Sequence, residues 1–202
     1  MELAKEVKRN KPPGETIMAL MLAFEIGVWN AWILTVIFLC FFVSSQFLGS
    51  VGNRIAHGEE EKKLSNLTAL IAILLWIYSI FLALRIGTAW FYAGLSIYIL
   101  GMIMGIITIT SIAATQPGKP FTKGTYRYSR HPLSVSTFLV FLGIGLASAS
   151  WLYLLLLAIL MVITRFMVVI EEHSCIKKFG DIYREYMNRT PRWIGIPKSV
   201  KN

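Results

Sequence analysis

The chain alternates between long apolar segments and shorter polar ones. The apolar segments occupy about residues 28–48, 66–84, 88–114, 132–147 and 151–170. Each comes close to the roughly 20 residues that a helix needs to cross the hydrocarbon layer of a bilayer. The pattern therefore predicts an all-α integral membrane protein with about five transmembrane helices.

Two connections between these spans make structural predictions of their own. Residues 85–87 form a link so short that the second and third spans should be antiparallel neighbours. Residues 148–150 carry no charge and predict a tight helical hairpin of the fourth and fifth spans. Gly101 and Gly105 form a Gly-x-x-x-Gly pair, which favours close packing of the third span on another helix.

Polar segments divide the chain into three regions. Residues 1–27 combine a polar N-terminal segment with a short apolar stretch, which predicts an interfacial helix. Residues 28–114 hold the first three spans. Residues 115–202 hold a polar loop, the hairpin and a C-terminal segment with apolar residues at helical spacing. Most of the candidate functional residues lie in this last region.

Composition and charge agree with a membrane protein. Hydrophobic residues make up 55% of the chain and charged residues 15%, and the mean hydropathy is +0.61, outside the range of ordinary soluble domains. The formal net charge of +9 comes from lysines and arginines beside the spans, a pattern that indicates orientation and anionic lipid rather than nucleic acid. Lysines and arginines concentrate in the polar loop of residues 116–130 and in the C-terminal segment after residue 171. We therefore expect both segments to face the cytosol.

The polar stretch 124–132 is the first candidate for chemistry. Pro132 suits the first position of a helix, which places His131 at its cap, where free N–H groups attract anions. Arg127 and Arg130 add positive charge. The stretch can hold a carboxylate or a phosphate, or it can simply anchor a helix end at the membrane surface.

Acidic residues follow the fifth span directly. The hairpin brings Glu171 and Glu172 to the same membrane face as His131, where carboxylates are costly unless they are paired. Glu171 therefore accepts hydrogen bonds from a ligand or pairs with an arginine. Arg165 lies inside the span, so it needs a partner or must reach up to the interface. Adjacent glutamates lack the three- or four-residue spacing of helical metal ligands, and no metal is predicted.

Several motifs in order resemble the isoprenylcysteine carboxyl methyltransferases. The motifs are Arg130-His131-Pro132, Glu171-Glu172, Phe179-Gly180, Tyr183, Tyr186 and Thr190-Pro191-Arg192-Trp193. The resemblance covers about residues 115–195, and the related phospholipid methyltransferases share part of it. It implies an integral membrane O-methyltransferase that uses S-adenosylmethionine to methylate the C-terminal carboxylate of a prenylated cysteine. Residues 115–202 would then be the methyltransferase core, with its active site facing the cytosol.

The same resemblance implies the roles of individual residues. The cofactor would be bound by Lys119, Phe121, Tyr126, His131, Pro132, Leu133, Ser134, Glu171 and Glu172. The substrate side would include Arg165, Met167, Arg192 and Trp193. Arg165 would orient the acceptor carboxylate, because Met167 stands where the family has an arginine. A C-terminal carboxylate is already ionised at neutral pH, so catalysis would need alignment and exclusion of water rather than a base.

Other interpretations remain open at this point. A phospholipid amino-group methyltransferase would need Glu171 or Glu172 as a base. A non-catalytic membrane scaffold would use the polar clusters only to cap helices, and a membrane reductase would bind a nicotinamide cofactor. The expected partners are farnesylated or geranylgeranylated cysteine, or a related lipid, together with membrane lipids.

Overall fold

A computed structural model describes residues 30–48, 59–115 and 120–198. These residues form six α-helices, which are α1 (Trp32–Leu48), α2 (Glu59–Ser79), α3 (Ala89–Ala113), α4 (Pro132–Ala147), α5 (Trp151–Phe179) and α6 (Asp181–Arg189), and one 3-10 helix, Gly124–Arg127. No strand forms in this part of the chain, where one isolated bridge joins Asn30 to Ala83. The prediction of an all-helical protein is confirmed for the described residues. The predicted interfacial helix in residues 1–27 lies outside the described residues.

Two of the described helices are long and apolar enough to cross a bilayer. They are Ala89–Ala113 and Trp151–Phe179, which are α3 and α5. Shorter apolar helical stretches are Trp32–Val43, Lys63–Ser79 and Pro132–Ala147. These five stretches correspond to the five apolar segments of the sequence.

The helical hairpin of α4 and α5 follows local sequence signals. α4 begins at Pro132, as its fixed φ favours. α5 begins after Ser150, whose side-chain oxygen accepts a hydrogen bond of 3.3 Å from the Tyr153 N–H and caps the helix. It ends at Gly180, where φ is +59°, a conformation that glycine adopts most readily.

α5 continues well past residue 170, where the apolar segment ends. The helix includes both Glu171 and Glu172 and runs to Phe179. The change from apolar to polar residues marks the end of the apolar surface and not the end of the helix, because both glutamates keep helical geometry while their side chains contact other segments. The acidic pair therefore lies on a rigid element.

α3 packs most closely on α4, and glycines allow this. A Cβ on Gly101 would lie 2.9 Å from the backbone nitrogen of Val140, and one on Gly105 would lie 2.7 Å from the hydroxyl oxygen of Ser136. The Ser136 hydroxyl donates a 2.9 Å hydrogen bond to the Gly101 carbonyl. The close approach that the Gly-x-x-x-Gly pair predicts is confirmed.

The predicted close pairing of the second and third spans is not what the described helices do. α2 packs chiefly on α5, whereas α3 packs chiefly on α4. The linker of residues 80–88 instead joins other elements, because the Ala31 N–H donates to the Leu82 carbonyl (2.8 Å) and the Arg85 N–H to the Ala147 carbonyl (3.0 Å). It thereby connects the start of α1 with the end of α4.

The buried core lies between the first five helices. It takes Phe38 from α1, Leu75 from α2, Tyr98 from α3, Phe141 from α4 and Tyr153 from α5. The rings of Phe38 and Phe141 meet edge to face with centroids 5.9 Å apart, a favourable aromatic geometry. This core holds α4 and α5 in place, and both carry candidate site residues.

Candidate functional site

The polar segment before α4 is fixed to two helices. Its 3-10 turn places the Thr125 hydroxyl 3.0 Å from that of Thr108 on α3. On the other side, the Tyr186 hydroxyl of α6 donates a 2.7 Å hydrogen bond to the Tyr126 carbonyl. The segment is thus held between α3 and α6, and it delivers residues 126–131 to the start of α4.

The chain after α6 returns along the same segment. We call residues 190–198 the C-terminal strap. The Arg130 N–H donates to the Pro191 carbonyl and the Gly195 N–H donates to the Tyr128 carbonyl, each at 3.0 Å. These bonds place the strap directly beside the start of α4.

Glu172 is the centre of a buried ion-pair cluster. Its side chain is only 3% exposed. Arg192 of the strap donates to both carboxylate oxygens, from Nε to Oε1 at 3.1 Å and from Nη2 to Oε2 at 2.7 Å. Arg130 Nη1 lies 3.1 Å and His131 Nε2 lies 3.3 Å from Oε1. A buried carboxylate needs such partners, so Glu172 ties the strap and the start of α4 to α5.

His131 lies between the two glutamates. Its Nδ1 is 3.4 Å from Oε2 of Glu171, whose side chain is 29% exposed. Burial lowers the pKa of His131, but the hydrogen bonds and negative charges of Glu171 and Glu172 together outweigh it, so the pKa lies above its ordinary value. The site therefore favours an imidazolium.

Arg130 retains unused hydrogen-bonding capacity. Its side chain is 10% exposed, yet Nε and Nη1 have no hydrogen-bond acceptor in the part of the chain that the structure describes. Nη1 has only the charge contact with Glu172. Buried donors are normally satisfied, so this guanidinium fits an acceptor oxygen of a ligand.

Aromatic side chains border the cluster. The ring centroids of Phe121 and Tyr126 are 5.4 Å apart, and the ring centroids of Trp193 and His131 are 6.4 Å apart. Burial, followed by the negative charge of Glu171, raises the pKa of Tyr126. Its hydroxyl is therefore neutral at physiological pH. Neutral aromatic rings beside paired charges can receive a cationic group on their faces.

An apolar cavity of about 580 Å³ adjoins the cluster. Its wall includes Phe42 of α1, Ala72 of α2, Phe138 of α4 and Leu160 of α5. Trp193 also lines it, so this indole lies between the cavity and His131. The volume is in the range of small-molecule sites, and the lining suits a hydrocarbon chain.

The structure divides the predicted site residues into two groups. The charged cluster and its border hold Phe121, Tyr126, His131, Glu171, Glu172 and Arg192. The cavity wall holds Leu133, Ser134, Met167 and Trp193, and Pro132 is buried at the start of α4. Arg165 is exposed on α5 and belongs to neither group. Lys119 lies outside the described residues.

Sequence reasoning did not assign the α2 side of the cavity. Four small residues line it there, namely Ser65, Thr68, Ala69 and Ala72. Their three- and four-residue spacing places them on one face of a helix, within a span that is otherwise rich in bulky residues. That periodic set of small side chains is the signal that points to the cavity. Among the described residues, no group of three or more His, Cys, Asp or Glu side chains could hold a metal ion.

Helices α1, α2, α4 and α5, of which α5 is a candidate membrane span, line an apolar cavity next to a buried charged cluster. This arrangement defines a helical membrane protein with a site for a partly apolar ligand. The family model for phospholipid methyltransferases matches residues 67–182, more than half of the chain. The chain belongs to this family, which covers the isoprenylcysteine carboxyl methyltransferases and the phospholipid methyltransferases. The predicted resemblance is confirmed, and the family implies a membrane methyltransferase. No curated protein matches the chain.

Proposed function

We propose that this protein transfers a methyl group from S-adenosylmethionine to the C-terminal carboxylate of a prenylated cysteine. S-adenosylmethionine is the general cofactor of the family. The observation that carries the proposal is the position of Trp193, which lines the apolar cavity and lies 6.4 Å from the His131 ring. An apolar chain and a polar reacting group can therefore be held side by side.

The donors and acceptors of the charged cluster fit the methyl donor. Arg130 has one buried donor, Nε, free for its carboxylate, and the raised pKa of His131 favours positive charge in the same cluster. Glu171 can accept hydrogen bonds from its ribose or amino group, because this carboxylate is partly exposed. Tyr126 and Phe121 offer aromatic faces for its sulfonium. When bound, S-adenosylmethionine supplies an electrophilic methyl group.

Glu172 has a different role from Glu171 in this proposal. Both of its oxygens already contact Arg192, Arg130 or His131. Glu172 is therefore assigned as a positioning residue that fixes the cationic groups, whereas Glu171 contacts the ligand. Leu133 and Ser134 would contact the cofactor from the first turn of α4, and Lys119 stays assigned to the cofactor as the resemblance implies.

The cavity suits the prenyl chain of the acceptor. Thr68 and Thr164 line it, but their hydroxyls donate at 2.8 Å to the carbonyls of Leu64 and Leu160 on their own helices. They therefore present mostly methyl surface to a ligand. Met167 and Trp193 would then contact the chain, and Trp193 does so next to the reacting groups.

The acceptor carboxylate is ionised at neutral pH, so the protein must align it and exclude water. Sequence reasoning assigns its orientation to Arg165, yet this residue is exposed and does not line the cavity. Arg192 is the better candidate, because it neighbours Trp193 and has an Nη1 group that does not contact Glu172. We also propose five transmembrane helices, formed by α1 to α5, with the charged cluster at the cytosolic face where basic residues concentrate.

Transfer of labelled methyl groups to N-acetyl-farnesylcysteine tests the proposal. We expect a labelled methyl ester that releases methanol in base, and no product from the same compound with its carboxylate amidated. Absence of labelled ester, with the cofactor bound, would refute carboxyl methylation.

Phospholipid amino-group methylation is the second candidate. It is supported by the partial exposure of Glu171, which leaves a carboxylate available to remove a proton from an amine. Its product from phosphatidylethanolamine would carry the label as an N-methyl group, which base does not release as methanol. If the purified protein does not bind S-adenosylmethionine at all, a non-catalytic scaffold is the better interpretation.

A further inference from the structure

The C-terminal strap carries two prominent isoleucines on an ordered backbone. Ile194 is 65% exposed and Ile196 is 90% exposed. The Gly195 N–H donates to the Tyr128 carbonyl (3.0 Å) and the Lys198 N–H donates to the Arg189 carbonyl (2.9 Å). The backbone on both sides of Ile196 is therefore anchored, and the exposure of these side chains does not come from a loose tail.

Ile194 continues the apolar surface of a candidate membrane span. Ile194 lines the cavity together with Met161, which is itself exposed on α5. Near Met161 on the same helix, Val162 is 58% and Phe166 is 61% exposed. The exposed surface of α5 and the strap thus meet at the cavity, and a bilayer that covers one would reach the other.

The charge next to the pair also fits a lipid surface. Lys198 is exposed, and no acidic partner contacts it within the described ranges. A lysine beside apolar side chains can place its amine among anionic headgroups while its stem covers apolar surface. Apolar contact and positive charge therefore occur together on the strap.

We propose that Ile194 and Ile196 insert into the interfacial region of the bilayer and that the strap is a membrane-anchored wall of the site. This proposal does not depend on the reaction that the site performs. Because Arg192 of the strap clamps Glu172, contact between the strap and lipid would also stabilise the charged cluster. The partner is the lipid surface itself.

Spin labels at single cysteines test this proposal in the full-length protein. The background carries Cys40→Ala and Cys175→Ala, and the protein is placed in vesicles of phosphatidylcholine and phosphatidylglycerol. The test sites are Ile196→Cys and, independently, Ile194→Cys. Leu155→Cys, at a residue 59% exposed on α5, serves as the lipid reference, and Asn188→Cys, exposed on α6, serves as the water reference.

The measured quantity is the rate at which each spin label collides with oxygen and with a water-soluble nickel chelate. We expect the ratio of oxygen to nickel collisions at both isoleucine positions to exceed that at residue 188 severalfold and to approach that at residue 155. A ratio equal to that at residue 188 would overturn the proposal. Protection of both positions from both reagents would also overturn it, because a protein surface would then cover the pair.

Discussion

Arg192 holds Glu172 at two points, with Nε 3.1 Å from Oε1 and Nη2 2.7 Å from Oε2. The carboxylate is almost fully buried, whereas the guanidinium is 30% exposed. The pair therefore joins the strap, at the edge of the site, to the interior of α5. Arg130 and His131 contact the same carboxylate. Replacing Glu172 should therefore affect stability and ligand binding differently from replacing the adjacent Glu171.

Glu172→Gln should destabilise the fold more than Glu171→Gln. Loss of the Glu172 charge leaves buried cations without their partner and should lower the free energy of unfolding by about 3 kcal/mol. Glu171→Gln should cost less than about 1 kcal/mol but weaken binding of S-adenosylmethionine about tenfold, or roughly 1.4 kcal/mol. Thermal unfolding in detergent and titration calorimetry measure the two effects. The reverse pattern would exchange the roles assigned to the two residues.

Arg192→Lys should release the strap although the positive charge is kept. A lysine cannot form the two parallel hydrogen bonds of a guanidinium, and loss of one bond to a charged group costs about 2 kcal/mol. We expect a lower unfolding temperature and faster proteolysis of residues 190–198. Arg184→Lys is the matched control, because the Arg184–Asp181 pair is exposed on both sides and should change stability by less than about 0.5 kcal/mol. Equal effects of the two substitutions would argue against a stabilising role of the Arg192–Glu172 pair.

His131 should make stability depend on pH. Its pKa is raised in the folded protein despite burial, because both glutamates contact it. The stabilisation is therefore fully present below the ordinary pKa of about 6.5 and is lost as the pH rises through the raised value. The unfolding temperature of the parent should exceed that of His131→Gln by more at about pH 6 than at about pH 9. His173→Gln, at an exposed position on α5, should leave the pH profile of the parent unchanged.

Sequence reasoning succeeds here where one local rule decides the structure. Pro132 predicts the start of α4, and Gly101 with Gly105 predicts a close helix contact, since both effects depend on neighbouring backbone geometry. That α5 continues beyond the apolar segment as one helix to Phe179 does not follow from a local rule, because Glu171 and Glu172 satisfy their charges through distant residues. The cavity depends on how four helices and the strap pack together, which no single segment reveals.

The contact between α3 and α4 should not tolerate a methyl group at Gly94. A Cβ there would lie 2.5 Å from the Gly143 carbonyl oxygen and would also collide with the backbone nitrogen of Ala147. Both are backbone atoms of α4, so the helices must separate. We expect Gly94→Ala to lower the free energy of unfolding by about 2 kcal/mol despite its better helix propensity. Ser96→Ala, exposed on the same helix, should stay within about 0.5 kcal/mol of the parent in the same thermal unfolding assay.

Filling the cavity should change which acceptor chains the protein uses, if the proposed function holds. Thr164 lines the cavity from α5, and Thr164→Phe would occupy part of its volume of about 580 Å³. We expect kcat/KM to fall more than about tenfold for geranylgeranylcysteine and less for shorter prenyl chains, because a pocket discriminates among chains by the apolar contacts it can still make. Val162→Phe, two residues earlier and exposed, is the control. An equal loss for all chain lengths would indicate damage to the fold, and an equal effect of Val162→Phe would place the prenyl chain elsewhere.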